Sequence, residues 1–468
     1  MNRITHKLLA GWVGMGPRFL PFADVATPDL SLARLLRLSL FQVSVGMAIV
    51  LLVGTLNRVM IVELGVPASV VAVMLSLPVI FAPFRALIGF RSDTHHSALG
   101  WRRVPFIWKG SMIQFGGLAL MPFALLVLSG GGNASQWPAW IGHVAAGIAF
   151  LLVGAGLHTT QTAGLALATD LVPEESHPKV VGLMYIMLLA GTVVSALVFG
   201  LLLEDFSPGR LVSVIQGSAV ATLVINTIAL WKQETRRPRG APPPRRDASF
   251  REAWESFHRG EHSVRRLVAL GLGTMAFSMQ DVLLEPYGGE VLGMSVAETT
   301  KLTATLAFGT LLGFGLASRI LSRGGDAARL TGLGALAGVV AFTTVILASS
   351  LGSTAVFVAG AFLVGFGAGL FGHGTLTSTM NHAPADQRGL ALGTWGAVQA
   401  TAAGVAVASG GVLRDVVSRM TPESGSLLGA PGIVVGYTFV YSLEVVLLLA
   451  TLVALLPLVR DARVPAHA

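Results

Sequence analysis

Four charged side chains lie in stretches that are otherwise apolar, namely Arg58, Glu63, Asp281 and Glu285. A charge inside a membrane costs free energy unless it is paired or hydrated, so each one is a candidate functional residue. Asp281 and Glu285 are about one helical turn apart and would share one face of a helix. We predict that Arg58 pairs with Asp281 or Glu285. Such a polar cluster is either a structural lock or a site for a proton or substrate, and the sequence leaves both alternatives open.

Four histidines lie in or near the apolar stretches: His143, His158, His373 and His382. A neutral imidazole can ligate a metal through a ring nitrogen, although a lone histidine inside a membrane is more often a hydrogen-bonded packing residue. We favour His158 and His373 as ligands because both lie in glycine-rich stretches, of which residues 365–374 are the clearest. The bare backbone there suits a flat ligand and a close helix crossing equally well.

The elements that position these residues follow from the composition. Of the 468 residues, 53% are hydrophobic and 12% are charged, whereas a soluble domain has about 25% charged residues. A helix needs roughly 20 apolar residues to cross a bilayer. We find twelve such stretches, near residues 38–62, 68–90, 104–129, 139–168, 179–203, 211–231, 266–289, 299–318, 330–350, 354–380, 389–412 and 434–459. The sequence therefore predicts an all-α membrane protein with twelve transmembrane helices.

The net charge of +8 is a topology signal. Most of the 32 Lys and Arg residues lie in the N-terminal segment, in every second loop or in the C-terminal tail; the exceptions are Arg58, Arg210, Lys301, Arg414 and Arg419. Under the positive-inside rule this distribution predicts that both termini are cytoplasmic. No soluble basic domain remains to bind nucleic acid, so we expect membrane lipids and no nucleic acid as partners.

The chain is expected to divide into four parts. Residues 1–37 are predicted to be a cytoplasmic N-terminal segment at the membrane interface, and residues 38–231 a six-helix bundle. Residues 232–265 are rich in proline and charged residues, which hydrocarbon excludes, and are predicted to be a basic cytoplasmic linker. Residues 266–468 are predicted to form a second six-helix bundle with a short cytoplasmic tail.

Two short matches, each of three residues at constant spacing, relate the two halves. The first pairs the turns that follow the first and seventh stretches, at Leu64, Gly65, Val66 and Leu292, Gly293, Met294. The second pairs the turns that follow the fourth and tenth stretches, at Asp170, Pro173, Gly182 and Asn381, Pro384, Gly393. When the halves are aligned by the first match, Arg58 lies at nearly the same depth in the membrane as Glu285. We therefore expect an ion pair between Arg58 and an acid of the seventh stretch. Six-plus-six parallel repeats are typical of the major facilitator superfamily.

A loop after the second stretch strengthens this interpretation. Gly89 and Asp93, followed by Arg102 and Arg103, resemble the signature loop of the major facilitator superfamily. The loop is longer than usual, because residues 94–99 are inserted. The resemblance implies the major facilitator fold with two six-helix bundles, without by itself implying transport.

Four longer runs resemble the PucC/LhaA family, at residues 54–67, 82–93, 281–290 and 393–404. The resemblance extends from about Arg18 to Arg460, almost the whole chain. This family is the bacteriochlorophyll-delivery branch of the major facilitator superfamily in purple photosynthetic bacteria. The resemblance implies a light-harvesting assembly factor in the inner (intracytoplasmic, or chromatophore) membrane, with the core antenna (LH1) favoured over the peripheral antenna (LH2).

The resemblance also implies a ligand and partners. Bacteriochlorophyll is the expected cofactor, and His158 and His373 then become candidate axial ligands of the pigment magnesium. The expected partners are the light-harvesting α and β polypeptides, the antenna–reaction centre complex and pigment-synthesis enzymes.

Catalytic motifs are missing from the sequence. It has no P-loop, no G-x-S-x-G elbow, no H-E-x-x-H motif and no cysteine, so we expect a protein that is not an enzyme. Two alternatives to the pigment-binding assembly factor stay open. One is a secondary transporter of a small solute or pigment precursor, and the other is a scaffold without pigment of its own.

Overall fold

The computed structural model describes residues 31–80, 88, 91, 92, 97, 100–173, 176–234, 263–382, 388–421 and 431–461. The described residues form helices and turns without a strand, which confirms the all-α prediction. The predicted N-terminal segment up to residue 30, most of the linker, and the signature-loop residues Gly89 and Asp93 lie outside the described residues.

Twelve apolar helices follow one another along the described chain. They are α1 (Leu32–Glu63), α2 (Ala68–Ile80), α3 (Val104–Leu128), α4 (Ala139–Asp170), α5 (His177–Leu202), α6 (Pro208–Leu230), α7 (Ser263–Glu290), α8 (Val296–Ser322), α9 (Ala327–Leu351), α10 (Thr354–His382), α11 (Arg388–Met420) and α12 (Gly432–Asp461). Eleven of them are long and apolar enough to cross a membrane, and α2 is shorter over its described part. The chain is a multi-pass membrane protein.

The first helix starts earlier than residue 38, where we predicted it to begin. Ser31 caps α1 by accepting a hydrogen bond from the Arg34 backbone N–H at 3.3 Å. The Arg34 side chain does not stop the helix, because its guanidinium donates to the Gln233 carbonyl at 2.6 Å and is thereby tied to the chain just after α6.

The helices pack as two halves. In the first half α3 packs on α4 and α6, and α1 packs on α5 and α6; in the second half α9 packs on α10 and α12, and α7 packs on α11 and α12. The halves meet chiefly where α5 contacts α8 and where α2 contacts α11. We call the face at which α1 begins the terminal face and the face at which α1 ends the distal face.

The crossing of α8 and α10 depends on three glycines, Gly309, Gly313 and Gly365. A Cβ at any of them would overlap a backbone carbonyl of the other helix. Small residues allow such close approach in membranes. We expected the bare backbone of residues 365–374 to serve either a flat ligand or a close helix crossing. At Gly365 it serves the helix crossing. Gly372 differs, since a Cβ there would meet nothing within 4 Å.

The turns that follow α1 and α7 have the same geometry. Gly65 and Gly293 have φ values of 64° and 65°, a region that glycine adopts without strain. In each turn a backbone N–H bonds back six residues at 2.9 Å, from Val66 to the Met60 carbonyl and from Met294 to the Gly288 carbonyl. The sequence match that we used to relate the halves thus corresponds to one structural motif used twice.

Candidate functional site

Both α1 and α7 depart from α-helical geometry near the distal face. Val50–Leu56 and Val59–Glu63 form wide turns of the π type, whereas Met279–Val282 forms a tight 3-10 turn. Such irregular turns often mark functional positions. The α7 turn leaves two carbonyls free to accept from the Asn57 side-chain amide, those of Asp281 at 3.4 Å and Val282 at 3.2 Å.

The wide turns of α1 explain why our prediction for Arg58 is wrong. Arg58 forms its ion pair with Glu63, and not with Asp281 or Glu285. In a π-type turn, residues five apart stack on one face, so the acid within reach is a local one. The Arg58 guanidinium also donates to the Met294 carbonyl at 3.0 Å, which ties α1 to the turn between α7 and α8.

A second ionic group lies around Arg414 on α11. Its guanidinium pairs with Glu290 at the end of α7 and with Asp415 at 2.8 Å. The Tyr437 hydroxyl donates to the same Glu290 carboxylate at 2.7 Å. Asp415 in turn accepts from the Ser69 backbone N–H at 2.8 Å, which joins α11 to the start of α2. Sequence reasoning missed this group. One signal was available: Arg414 is a basic residue on the side of the membrane where the positive-inside rule predicts few basic residues.

Two of these contacts join the halves toward the distal face, the bond from Arg58 to the Met294 carbonyl and the bond from the Ser69 N–H to Asp415. We name the set Arg58, Glu63, Glu290, Arg414 and Asp415 the distal seal. Two further contacts between the halves lie near it, a Thr55–Thr300 hydroxyl contact at 3.3 Å and a Lys301–Glu204 ion pair at 3.3 Å. The Arg58–Glu63 pair itself lies within α1, and Arg58 reaches the other half through its hydrogen bond to the Met294 carbonyl.

Three carboxyl groups lie inside the second half, on α7 and α12. Glu285 is 3% exposed, and its Oε1 accepts from the Thr303 hydroxyl at 2.9 Å. Glu444 is fully buried. Asp281 accepts from the Gln280 side chain. None of the three forms an ion pair within the described residues. These groups can hold protons or bind a polar ligand, but Arg58 does not neutralise them.

The two favoured histidines lie on corresponding helices of different halves. His158 is half-buried on α4. His373 on α10 packs against Phe314 of α8, with ring centroids 4.2 Å apart and planes 59° to one another. Its Nδ1 is buried without a hydrogen-bond partner in the part of the chain that the structure describes, and the neighbouring Gly372 borders open space. Within the described residues, no group of three or more histidines and carboxylates is arranged to hold a metal ion.

Arg102 and Arg103 of the signature loop lie at the terminal face. Both guanidinium groups pair with Asp170 at the end of α4, Arg103 at 3.0 Å. The Glu234 carboxylate, just after α6, accepts from the backbone N–H groups of Arg102, Arg103 and Val104 at 2.8 to 3.0 Å. It therefore caps the start of α3 from a distant part of the chain. Asp170 was part of a repeat match, whereas nothing in the sequence pointed to Glu234.

Replacing Glu234 with alanine is expected to lower the free energy of unfolding by about 0.5–2 kcal/mol, the range measured for lost helix caps. Thermal unfolding of the detergent-solubilised protein would measure the change. The matched control is Asp205→Ala, because Asp205 belongs to an exposed pair with Arg210 and should contribute little. Equal stabilities of the two variants would contradict the capping role of Glu234.

Comparison with known proteins agrees with the fold and gives the family. The PUCC protein family model matches residues 55–463. Protein PucC of Rhodovulum sulfidophilum is 62% identical over 89% of this chain and 92% of that protein. Protein PucC of Cereibacter sphaeroides is 56% identical over 99% of each chain. A more distant relative, the bacteriochlorophyll synthase 44.5 kDa chain of Rhodobacter capsulatus, is 29% identical over 85% of this chain and 91% of its own.

Among solved structures, the chain is similar to a bacterial homologue of the human lysosomal transporter Spinster in an inward-facing conformation. The TM-score is 0.67 at 17% identity, over 93% of this chain and 98% of that one. At this identity the likeness establishes the fold alone, which is transporter-like and agrees with the predicted major facilitator architecture. By the match of its sequence across nearly its full length, this chain belongs to the PucC family.

Proposed function

We propose that this chain is an assembly factor for a bacterial light-harvesting antenna, which binds bacteriochlorophyll and assists its incorporation with the α and β antenna polypeptides. Membership of the PucC family supports the proposal, as does the distant relative whose name contains bacteriochlorophyll synthase. The role consists of binding and handing over pigment and involves no catalysed bond change. The distribution of Lys and Arg supports placement in the inner membrane with both termini cytoplasmic.

The observation that carries the proposal is the environment of His373. A buried imidazole nitrogen without a hydrogen-bond partner is a donor atom that a metal can use, and magnesium in a tetrapyrrole accepts a neutral nitrogen ligand. A Cβ at Gly372 would meet nothing within 4 Å, so the surface beside the imidazole is open there, and Phe314 offers an aromatic surface. His373 therefore fits the pigment, and His158 is the corresponding candidate in the first half. Bound bacteriochlorophyll would supply the chromophore that the antenna requires.

Replacing His373 with phenylalanine is expected to reduce the bacteriochlorophyll that co-purifies with the protein by roughly tenfold or more, the order of loss seen when a metal site loses even a supporting group. Phenylalanine keeps the ring packing against Phe314, so the fold should persist. The measurement is the pigment-to-protein absorbance ratio after gentle purification from a pigmented host. His158→Phe, purified in parallel, shows whether the first half contributes a ligand. Unchanged pigment in both variants would remove these histidines from the proposal.

Deleting the gene from its host tests the role in assembly. We expect the antenna absorbance to fall while reaction centres still form, and a copy of the gene supplied in trans should restore it. The complex that is lost identifies the client as the core or the peripheral antenna. Normal levels of both antennae in the deletion strain would refute the proposal.

A secondary transporter is the second candidate, and the distal seal favours it. Contacts that join two halves at one face are what a protein with alternating access must break. Alternating access requires a second conformation in which the seal is open and the terminal face is closed. Single cysteines on the two faces should then label reciprocally when a solute is added, and a fixed labelling pattern would exclude transport.

A further inference from the structure

A lateral groove opens on the outer surface where the two halves meet. It has a volume of about 560 Å³ and lies between α2, α4 and α11. Its lining includes His143 on α4, Gly147 one turn further along α4, and Val412 on α11. Since α11 belongs to the second half, both halves contribute to the wall.

Only one end of the groove is polar. Its lining is apolar except around Ser69 and His143, and both of these lie near the distal ends of their helices. His143 is half-buried, and its imidazole makes no hydrogen bond or ion pair with any other described residue. The imidazole is therefore a free donor atom at the mouth of an apolar groove.

The groove runs along its helices from a polar end to an apolar end, as an amphiphile does. Its wall on α2 runs from Ser69 to Leu77 and its wall on α4 from His143 to Leu151. Eight residues of helix span about 12 Å at 1.5 Å per residue. The groove therefore runs from the polar end near the distal face toward the centre of the bilayer. Gly147 has no side chain, so the α4 wall is flat at this position. A Cβ there would lie 3.5 Å from the Leu77 side chain, on the opposite wall of the groove.

We infer that this groove is a bacteriochlorophyll site, in which His143 ligates the magnesium and the apolar wall receives the isoprenoid tail. The inference rests on the proposed function and adds a second position for the pigment, open to the lipid from which antenna helices would approach. A phospholipid would fill the apolar wall equally well, but its head group has no vacant metal position for a neutral imidazole. The histidine is thus the feature that favours the tetrapyrrole.

The test titrates bacteriochlorophyll a into the purified full-length protein in detergent. The pigment band that reports axial ligation of magnesium measures ligation, and the absorbance of retained pigment measures affinity. In His143→Phe we expect loss of the ligation signal for this site and an affinity reduced by roughly tenfold or more. Gly147→Leu should also reduce the affinity, because the side chain would occupy the groove while His143 stays in place.

Gly217→Leu on α6 is the matched control. Gly217 is exposed with open space around it, so the substitution adds the same side chain away from the groove and away from His373. The control should bind pigment as the unaltered protein does. Thermal unfolding of all variants identifies any that are misfolded.

The outcomes separate this inference from the proposed function. If His143→Phe and Gly147→Leu bind normally while His373→Phe does not, the groove is not a pigment site and the proposed function stands. If the unaltered protein binds no pigment, both fail. If a brominated phospholipid quenches a tryptophan placed at Val144 and excess pigment does not relieve the quenching, the groove takes lipid only and the inference is overturned.

Discussion

Alanine in place of Arg414 is expected to lower the free energy of unfolding by about 3–5 kcal/mol, the cost typical of breaking a buried ion pair by removing one partner. The side chains of Arg414, Glu290 and Asp415 are 9%, 18% and 8% exposed, so in the folded protein water solvates the two remaining carboxylates only in part. The Tyr437 hydroxyl and the Ser69 backbone N–H can satisfy only part of their hydrogen-bonding capacity. Thermal unfolding in detergent would measure the loss.

Arg210→Ala is the matched control for this prediction. Arg210 pairs with Asp205, but their side chains are 50% and 86% exposed, so the change should stay within about 0.5 kcal/mol. Arg414→Lys should recover part of the stability, because lysine restores the positive charge. The recovery should be incomplete, because an ammonium group cannot form the bidentate hydrogen bonds of a guanidinium.

Replacing Arg414 with alanine should also open the distal seal to water. The chain has no cysteine, so Thr300→Cys would introduce a single thiol at a position that is fully buried beside Thr55. A water-soluble maleimide should label this thiol slowly in the otherwise unaltered protein and faster when Arg414 is replaced. If stability and labelling are both unaffected, the ionic group does not hold the halves together.

Leucine in place of Gly309 is expected to prevent α8 and α10 from packing. The new side chain would overlap the Phe362 carbonyl, which belongs to a helix backbone and cannot move aside without breaking its own hydrogen bonds. The cost should exceed the roughly 1–3 kcal/mol typical of overpacked cores, where side chains can adjust. We expect little monodisperse protein after detergent extraction.

Gly315→Leu provides the comparison, since it makes the same change on the same helix at an exposed position. Size-exclusion profiles and unfolding midpoints of the two variants would be compared. A normal profile for Gly309→Leu would mean that the two helices can separate at the crossing at little cost.

Much of the fold could be predicted from the sequence because the bilayer imposes simple rules. Apolar length fixes the number of helices, and the paired turns at Gly65 and Gly293 reveal the repeat because left-handed backbone favours glycine. The start of α1 was misplaced because Arg34 reads as a charge outside the membrane. In the structure its guanidinium donates a hydrogen bond to a distant carbonyl, that of Gln233.

The polar contacts were harder to predict than the helices. The Arg58–Glu63 pair depends on π-type turns, which hydrophobic periodicity does not reveal. The Arg414–Glu290 pair joins residues that are 124 positions apart, and no local pattern relates them. For the histidines, glycine-rich context led to His373 but not to His143, because a groove formed by three helices leaves no pattern in any one of them.

The acceptors at the junction between the halves have an evolutionary consequence. Arg58 and Asn57 bind backbone carbonyls of Met294, Asp281 and Val282, not their side chains. A carbonyl is present whatever residue occupies the position, so those three positions can change during divergence without losing the bond, whereas the two donors cannot. Correlated substitutions across this junction should therefore be weak among homologues even where the bond itself persists.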